Sequence, residues 1–82
     1  MSMIFFTYRA PLGARKGAAI LQEAGISAKL SRTPAALAAN GCGYGLWVPM
    51  EQGVRAAALL REHKAGFERS YLSGNGFREV SL

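Results

Sequence analysis

The residues with the clearest chemical potential in this 82-residue chain surround its single cysteine, Cys42. This residue lies in the run Asn40-Gly41-Cys42-Gly43-Tyr44-Gly45, where glycines on both sides shield the thiol very little. One cysteine cannot form an intramolecular disulfide, and with the single histidine, His63, it cannot complete a tetrahedral zinc site. Cys42 is therefore either a thiol that acts as a nucleophile or carrier, or a small apolar residue in a turn, which is the commoner role of a free cysteine.

The composition is that of a single folded domain spanning residues 1–82. Half of the residues are hydrophobic and 18% are charged, as in ordinary globular proteins. No apolar run approaches the roughly 20 residues that span a bilayer, so we expect a soluble cytoplasmic protein in which the thiol stays reduced. The formal charge of +5 attracts anions. The sequence indicates no metal site and no resident cofactor, and without aspartate it offers no evident carboxylate pair.

The chain repeats one pattern twice, which predicts two strand-helix-strand units in tandem. Each predicted helix is followed by Ala-Gly and a large apolar residue, in Ala24-Gly25-Ile26 and in Ala65-Gly66-Phe67. A glycine at this position is typical of a left-handed C-cap, so we expect Gly25 and Gly66 to end the helices. The strand-like and helical stretches are 3–8, 12–24, 44–48 and 50–65.

The order of these stretches predicts an α+β domain of the ferredoxin-like class, βαββαβ, with strand order 4-1-3-2 and both helices on one face. Residues 1–72 form the core of this domain. In residues 73–82, a Gly-Asn-Gly turn predicts an added C-terminal hairpin strand, which begins at Phe77 and pairs with a strand over 67–72. Large apolar residues on both faces of the central strands predict a homodimer, formed through the face without helices or through the C-terminal tail strand. The expected packing residues of the helices are Ala14, Gly17, Ala18, Leu21 and Gly25 in the first and Met50, Val54, Ala57 and Leu60 in the second.

In this topology, the start of the first helix and the loop between the second and third strands lie at the same end of the sheet. Cys42 is then expected beside the helix N-terminus, whose partial positive charge stabilises a thiolate. Thr33 is a good N-cap for a short alanine-rich helix before Cys42. Arginines and lysines belong to the same end, and glycine N–H groups can hold an anionic atom attached to the sulfur. The candidate binding residues are Gly41, Gly43, Arg9, Arg32 and Thr33, with Arg15 and Lys16 as further positive charges.

With Thr33-Pro34 and Cys42-Gly43 between the two units, and Ala24-Gly25-Ile26 upstream, the chain resembles the selenium/sulfur (Se/S) carrier-like family. The resemblance covers about Met3 to Tyr71. It implies a thiol carrier, rather than a turnover enzyme, that holds sulfur or selenium on the cysteine as a persulfide or selenopersulfide. It also implies a sulfur or selenium donor, such as a cysteine desulfurase, as a partner.

Two further interpretations belong to other functional classes. The first is a non-catalytic protein-interaction or regulatory module that binds through the open sheet face. The second is an RNA-binding domain, because residues 43–48 partly match the aromatic RNA-recognition signature. The match is incomplete, since Cys42 stands where a basic residue belongs and Leu46 replaces the second stacking ring, so nucleic acid is the less favoured partner. In this interpretation the phosphate contacts are Arg9, Lys29 and Arg32.

Overall fold

Five antiparallel strands form one sheet in the computed structural model, which describes residues 2–38 and 43–82. The elements are β1 (Met3–Tyr8), α1 (Pro11–Glu23), β2 (Lys29–Arg32), β3 (Tyr44–Pro49), a 3-10 turn (Met50–Gln52), α2 (Gly53–Glu62), β4 (Ser70–Gly74) and β5 (Gly76–Glu79). The strand order is β2-β3-β1-β4-β5, and each neighbouring pair is antiparallel. The α+β class is confirmed, and the first four strands have the predicted order.

Both helices pack on the same face of the sheet. Side chains along β1 alternate between the two faces: Ile4, Phe6 and Tyr8 belong to the core under the helices, whereas Phe5 points to the opposite face. Small residues bring the helices close to the sheet. The buried helix positions are Ala14, Gly17, Ala18 and Leu21 of α1, as predicted, and Gly53, Ala56, Ala57 and Leu60 of α2. Gly25, which was also expected to pack, is exposed beyond the end of α1.

The second helix differs from the prediction at its start. Ala57 and Leu60 are buried as predicted, but a 3-10 turn, Met50–Gln52, takes the place of the first turn of the predicted helix. Met50 and Val54, which were expected in the core, are 50% and 72% exposed. Gly53 and Ala56 take the buried positions instead.

Each helix ends in a left-handed residue, but only α1 uses the predicted glycine. Gly25 has a φ of 80°, and the N–H of Ile26 donates to the carbonyl five residues earlier at 2.9 Å, which is a Schellman cap. At the end of α2 the left-handed residue is Lys64, with a φ of 59°. The prediction of Gly66 as the cap is wrong, because the residue that packs back into the core is Ala65, which is 5% exposed.

The chain after residue 72 forms the predicted hairpin strand. β5 pairs antiparallel with β4, and Gly76 adopts a φ of 90° at the turn. β4 begins at Ser70, three residues later than expected. Beyond β5, the N–H of Val80 donates to the Ser70 carbonyl at 2.9 Å, and Val80 and Leu82 pack against the core under the helices.

The face opposite the helices is partly covered by the chain's own β2–β3 connection. Leu37, from that connection, packs with Phe5 and Tyr71, and the rings of Trp47 and Phe77 lie against them; we call these five residues the open-face cluster. The ring centroids of Phe5 and Trp47 are 4.7 Å apart, and those of Trp47 and Phe77 are 6.0 Å apart. Phe5 has no exposed surface, and Leu37 is 6% exposed. Part of the cover that the sequence suggested a partner would supply therefore comes from the same chain.

Candidate functional site

The candidate thiol, Cys42, and its neighbour Gly41 lie outside the described residues, so the described site consists of the residues that flank them. The N–H of Thr33 donates to the carbonyl of Gly43 at 3.1 Å. This bond joins the two ends of the β2–β3 connection directly before β3. Gly43 is exposed, and a Cβ added to it would meet no atom within 4 Å in the described part of the chain, its two chain neighbours aside. The residue that follows Cys42 is therefore bordered by open space.

The N-terminus of α1 lies at the same end of the sheet as Gly43. Tyr8, the last residue of β1, pairs with Tyr44, which follows Gly43, and α1 begins three residues after Tyr8. No side chain caps this helix start, and its first turn contains no acidic residue. The positive end of the helix dipole is therefore not neutralised by capping, as the thiolate hypothesis requires.

The two candidate arginines lie on different sides of this end. The Arg9 side chain, 78% exposed, forms an ion pair with Glu68. The N–H of Glu68 donates to the Thr7 carbonyl at 2.8 Å, which places this pair beside β4, whereas Gly43 lies on the β3 side of β1. Arg32 is exposed at the end of β2, next to β3, and within the described part of the chain it forms no ion pair. Arg32 directly precedes Thr33, whose N–H is bonded to the Gly43 carbonyl.

Thr33 does not act as the predicted helix cap. The alanine-rich segment after it forms a tight turn, in which the Leu37 N–H donates to the Pro34 carbonyl at 2.9 Å and the Ala38 N–H donates to the Ala35 carbonyl at 3.3 Å. The Oγ1 atom of Thr33 has less than 1 Å² of exposed surface and no hydrogen-bond partner among residues 2–38 and 43–82. Most buried polar groups are hydrogen-bonded, so this hydroxyl needs an explanation.

Tyr8 is a positioning residue that the sequence analysis did not single out. Its hydroxyl donates to the Ala65 carbonyl at 2.5 Å and so ties β1 to the segment after α2. Burial raises the pKa of Tyr8 far above its ordinary value, so the phenol stays protonated and acts as a donor. A Cβ at Gly17 of α1 would lie 2.8 Å from the Tyr8 hydroxyl oxygen, and one at Gly13 would lie 3.2 Å from its ring. In the sequence, the signal for this packing is a pair of glycines four residues apart, Gly13 and Gly17, in the helix that follows a strand ending in tyrosine.

The two aromatic residues of β3 lie on opposite faces of the sheet and are half-buried. Tyr44 packs against the core under the helices. Trp47 lies on the other face, packs on Phe5, and donates its indole N–H to the Ser31 hydroxyl at 2.9 Å. Phe5 has no exposed surface. Because base stacking needs exposed rings, the RNA-binding interpretation gains no support from these positions.

In residues 2–38 and 43–82, no group of three or more His, Cys, Asp or Glu residues could hold a metal ion. No helix in the same ranges is both long enough and apolar enough to cross a membrane.

A family model described as "Putative Se/S carrier protein-like" matches residues 13–72. The chain belongs to this family. The match runs from α1 into β4 and includes Thr33, Cys42 and Gly43, so the resemblance drawn from these motifs is confirmed. No curated protein and no solved structure matches the chain.

Proposed function

We propose that the protein is a sulfur or selenium carrier that holds one chalcogen atom on Cys42 as a persulfide or selenopersulfide. The observation that carries this proposal is the family match, which spans the only cysteine of the chain. The open space beside Gly43 supports it, because an atom added to the neighbouring thiol needs room for a donor and an acceptor to approach.

Loading is a transfer between thiols that needs no external oxidant. The Cys42 thiolate attacks the outer sulfur of a donor persulfide, a new S–S bond forms, and the S–S bond of the donor breaks. The donor leaves as a thiolate, and Cys42 keeps the sulfur in the oxidation state that it had on the donor. Selenium transfer follows the same pattern with selenium as the outer atom. The fitting partner is a protein that presents a persulfide, such as a cysteine desulfurase.

Positive charge at this end of the sheet favours the attacking thiolate. The uncapped start of α1 supplies a partial positive charge, and the exposed Arg32 supplies a full one. Thiolate formation controls the rate of sulfur transfer at neutral pH. We therefore expect alkylation of Cys42 to reach half of its maximal rate at a lower pH than alkylation of a free cysteine does.

Intact mass spectrometry tests the proposal directly. After incubation with a cysteine desulfurase and cysteine, the wild-type protein should gain one sulfur atom per chain, and dithiothreitol should remove it. The Cys42→Ser variant should unfold at the wild-type temperature and gain nothing. A wild-type protein that takes no adduct from the desulfurase or from inorganic polysulfide would rule out the carrier function.

For the fold, we propose the ferredoxin-like class, supported by the strand order and by the packing of both helices on one face. For the assembly, we propose a homodimer through the open-face cluster, because Trp47 and Phe77 keep part of their surface exposed there. A reducing cytoplasm is the compartment that suits a single carrier thiol.

A further inference from the structure

The strand β2 forms one edge of the sheet and is bonded on one side only. It pairs with β3, and among the described residues no strand lies on its other side. The N–H of Thr33 donates to the Gly43 carbonyl at 3.1 Å, in register with the β2–β3 pairing. In an antiparallel pair, residues that bond to the neighbouring strand alternate with residues whose N–H and C=O point away from it. Leu30 and Arg32 therefore direct these backbone groups to the free edge.

The side chains of this edge combine positive charge with one exposed apolar group. Lys29 and Arg32 are exposed, and Leu30 between them is 37% exposed. Neither β2 nor β3 contains an acidic residue. The two ion pairs of the described chain, which belong to Arg9 and Arg69, do not involve β2. This edge therefore carries positive charge that an acidic partner can neutralise.

The pairing with β3 fixes the face on which each of these side chains lies, because directly opposite residues share a face. Leu30 lies opposite Leu46, on the side of the helices, and Lys29 lies opposite Trp47, on the other side. Arg32 shares the face of Leu30, two residues away. An antiparallel strand added to the edge would meet Arg32 first, Leu30 two residues later and Lys29 one residue after that. The complementary pattern along this strand is acidic, any residue, apolar, acidic.

We propose that β2 is a docking edge for an extended segment of a partner protein, which adds to the sheet as an antiparallel strand with this pattern. In strand addition, main-chain hydrogen bonds provide affinity and alternate side chains provide specificity. A second copy of β2 is the wrong occupant, because it would bring the positive charges of two edges together. The opposite edge, β5, carries adjacent charges of opposite sign, Arg78 and Glu79, and so has no such preference. Docking on β2 does not depend on the carrier function.

Nuclear magnetic resonance of the nitrogen-15-labelled full chain tests the proposal with a short probe, the acetylated and amidated peptide Thr-Glu-Thr-Val-Glu-Thr. We expect the largest amide shifts at Leu30 and Arg32, whose N–H groups gain acceptors. The same peptide with Gln in place of both Glu residues should bind about fivefold more weakly, because two opposite-charge pairs are lost. A peptide N-methylated at its Val cannot donate to the Leu30 carbonyl and should also bind at least about fivefold more weakly.

Protein variants make the same distinctions from the other side of the contact. Leu30→Pro removes the outward N–H, and proline is tolerated on edge strands where that group faces solvent. Leu30→Ala also loses the leucine side chain but keeps the N–H, so it should bind the peptide about fivefold more tightly than Leu30→Pro does. Arg32→Glu should weaken binding about fivefold. Arg78→Glu makes the same change of charge on the opposite edge and should stay within about twofold of wild type.

Several outcomes would overturn the proposal. One is an absence of shifts in β2, and another is equal affinity for the Glu, Gln and N-methylated peptides. Shifts at Leu30 and Arg32 that grow with protein concentration, without peptide, would assign the edge to a second copy instead. A single-stranded RNA oligonucleotide that shifts the same amides at lower concentration than the peptide would assign it to nucleic acid. All of these measurements use protein without added sulfur, so a failure of the carrier function would leave their results unchanged.

Discussion

Replacing Leu37 with alanine tests whether the β2–β3 connection is anchored to the sheet. Leu37 is 6% exposed and packs on Phe5 and Tyr71, and it is the buried residue of the described part of the β2–β3 connection. Leucine-to-alanine changes in cores cost about 2–5 kcal/mol. Because Leu37 belongs to a thin cover outside the sheet, where the segment can shift, we expect a loss near the lower end, about 2–3 kcal/mol.

Urea denaturation followed by circular dichroism measures this loss as a decrease in the free energy of unfolding. For a domain of this size, the same change lowers the melting temperature by about 10–20 °C. Release of the connection should also make the chain between β2 and β3 more sensitive to limited proteolysis under native conditions.

Leu12 provides a matched control, because the same substitution removes a side chain that is 77% exposed. Leu12→Ala should change the free energy of unfolding by less than about 0.5 kcal/mol. Equal effects of the two variants, or a Leu37→Ala protein as stable and as protease-resistant as wild type, would refute the anchoring of the connection by Leu37.

Three further predictions concern the strands and the assembly. A Cβ on Gly45 would lie 2.3 Å from the Phe6 carbonyl oxygen and 2.4 Å from the Phe5 ring, so Gly45→Ala should lower the free energy of unfolding in urea by at least about 2 kcal/mol. Gly43→Ala, at a position with open space, should lower it far less, and similar losses in the two variants would contradict the steric argument. Because burial raises the pKa of Tyr8 in the folded state, the unfolded state loses this proton first as the pH rises above about 10, and the free energy of unfolding should fall by up to about 1.4 kcal/mol per pH unit. A Tyr8→Phe protein whose stability falls equally steeply with pH would show that Tyr8 is not the cause. For the proposed homodimer, light scattering at micromolar concentration should give the mass of two chains, and the mass of one chain would count against it.

Local sequence signals predicted the first half of the fold well. The buried stripe of α1 and the glycine cap at Gly25 depend on residues within one or two helical turns of each other. The second half needed information from farther along the chain. A 3-10 turn replaced the first turn of the predicted second helix. Lys64 took the left-handed position because Ala65 is the residue that packs into the core. The pattern of residue types along the chain determines neither the 3-10 turn nor the residue that adopts the left-handed conformation.

The candidate site was predictable in its motif but less so in its surroundings. Thr33-Pro34 and Cys42-Gly43 were sufficient to indicate the family, which the match over residues 13–72 confirmed. The ion pair of Arg9 with Glu68 and the bond of Tyr8 to Ala65 join residues more than fifty positions apart. Such contacts depend on which strand ends meet, and charge or polarity along the sequence does not determine them.

The place of β1 in the sheet has a consequence for how the chain folds. β1 is the first strand in the chain and the middle strand of five, and Ile4 pairs with Leu72 from near the other end of the chain. During synthesis, β1 leaves the ribosome long before β4 does, so one edge of a strand that contains Phe5 and Phe6 stays unpaired until late. Pairing between distant segments slows folding, and an apolar edge left open in the meantime favours aggregation. We therefore expect this small protein to fold largely after synthesis, and nascent chains that end before β4 to depend on chaperones for solubility.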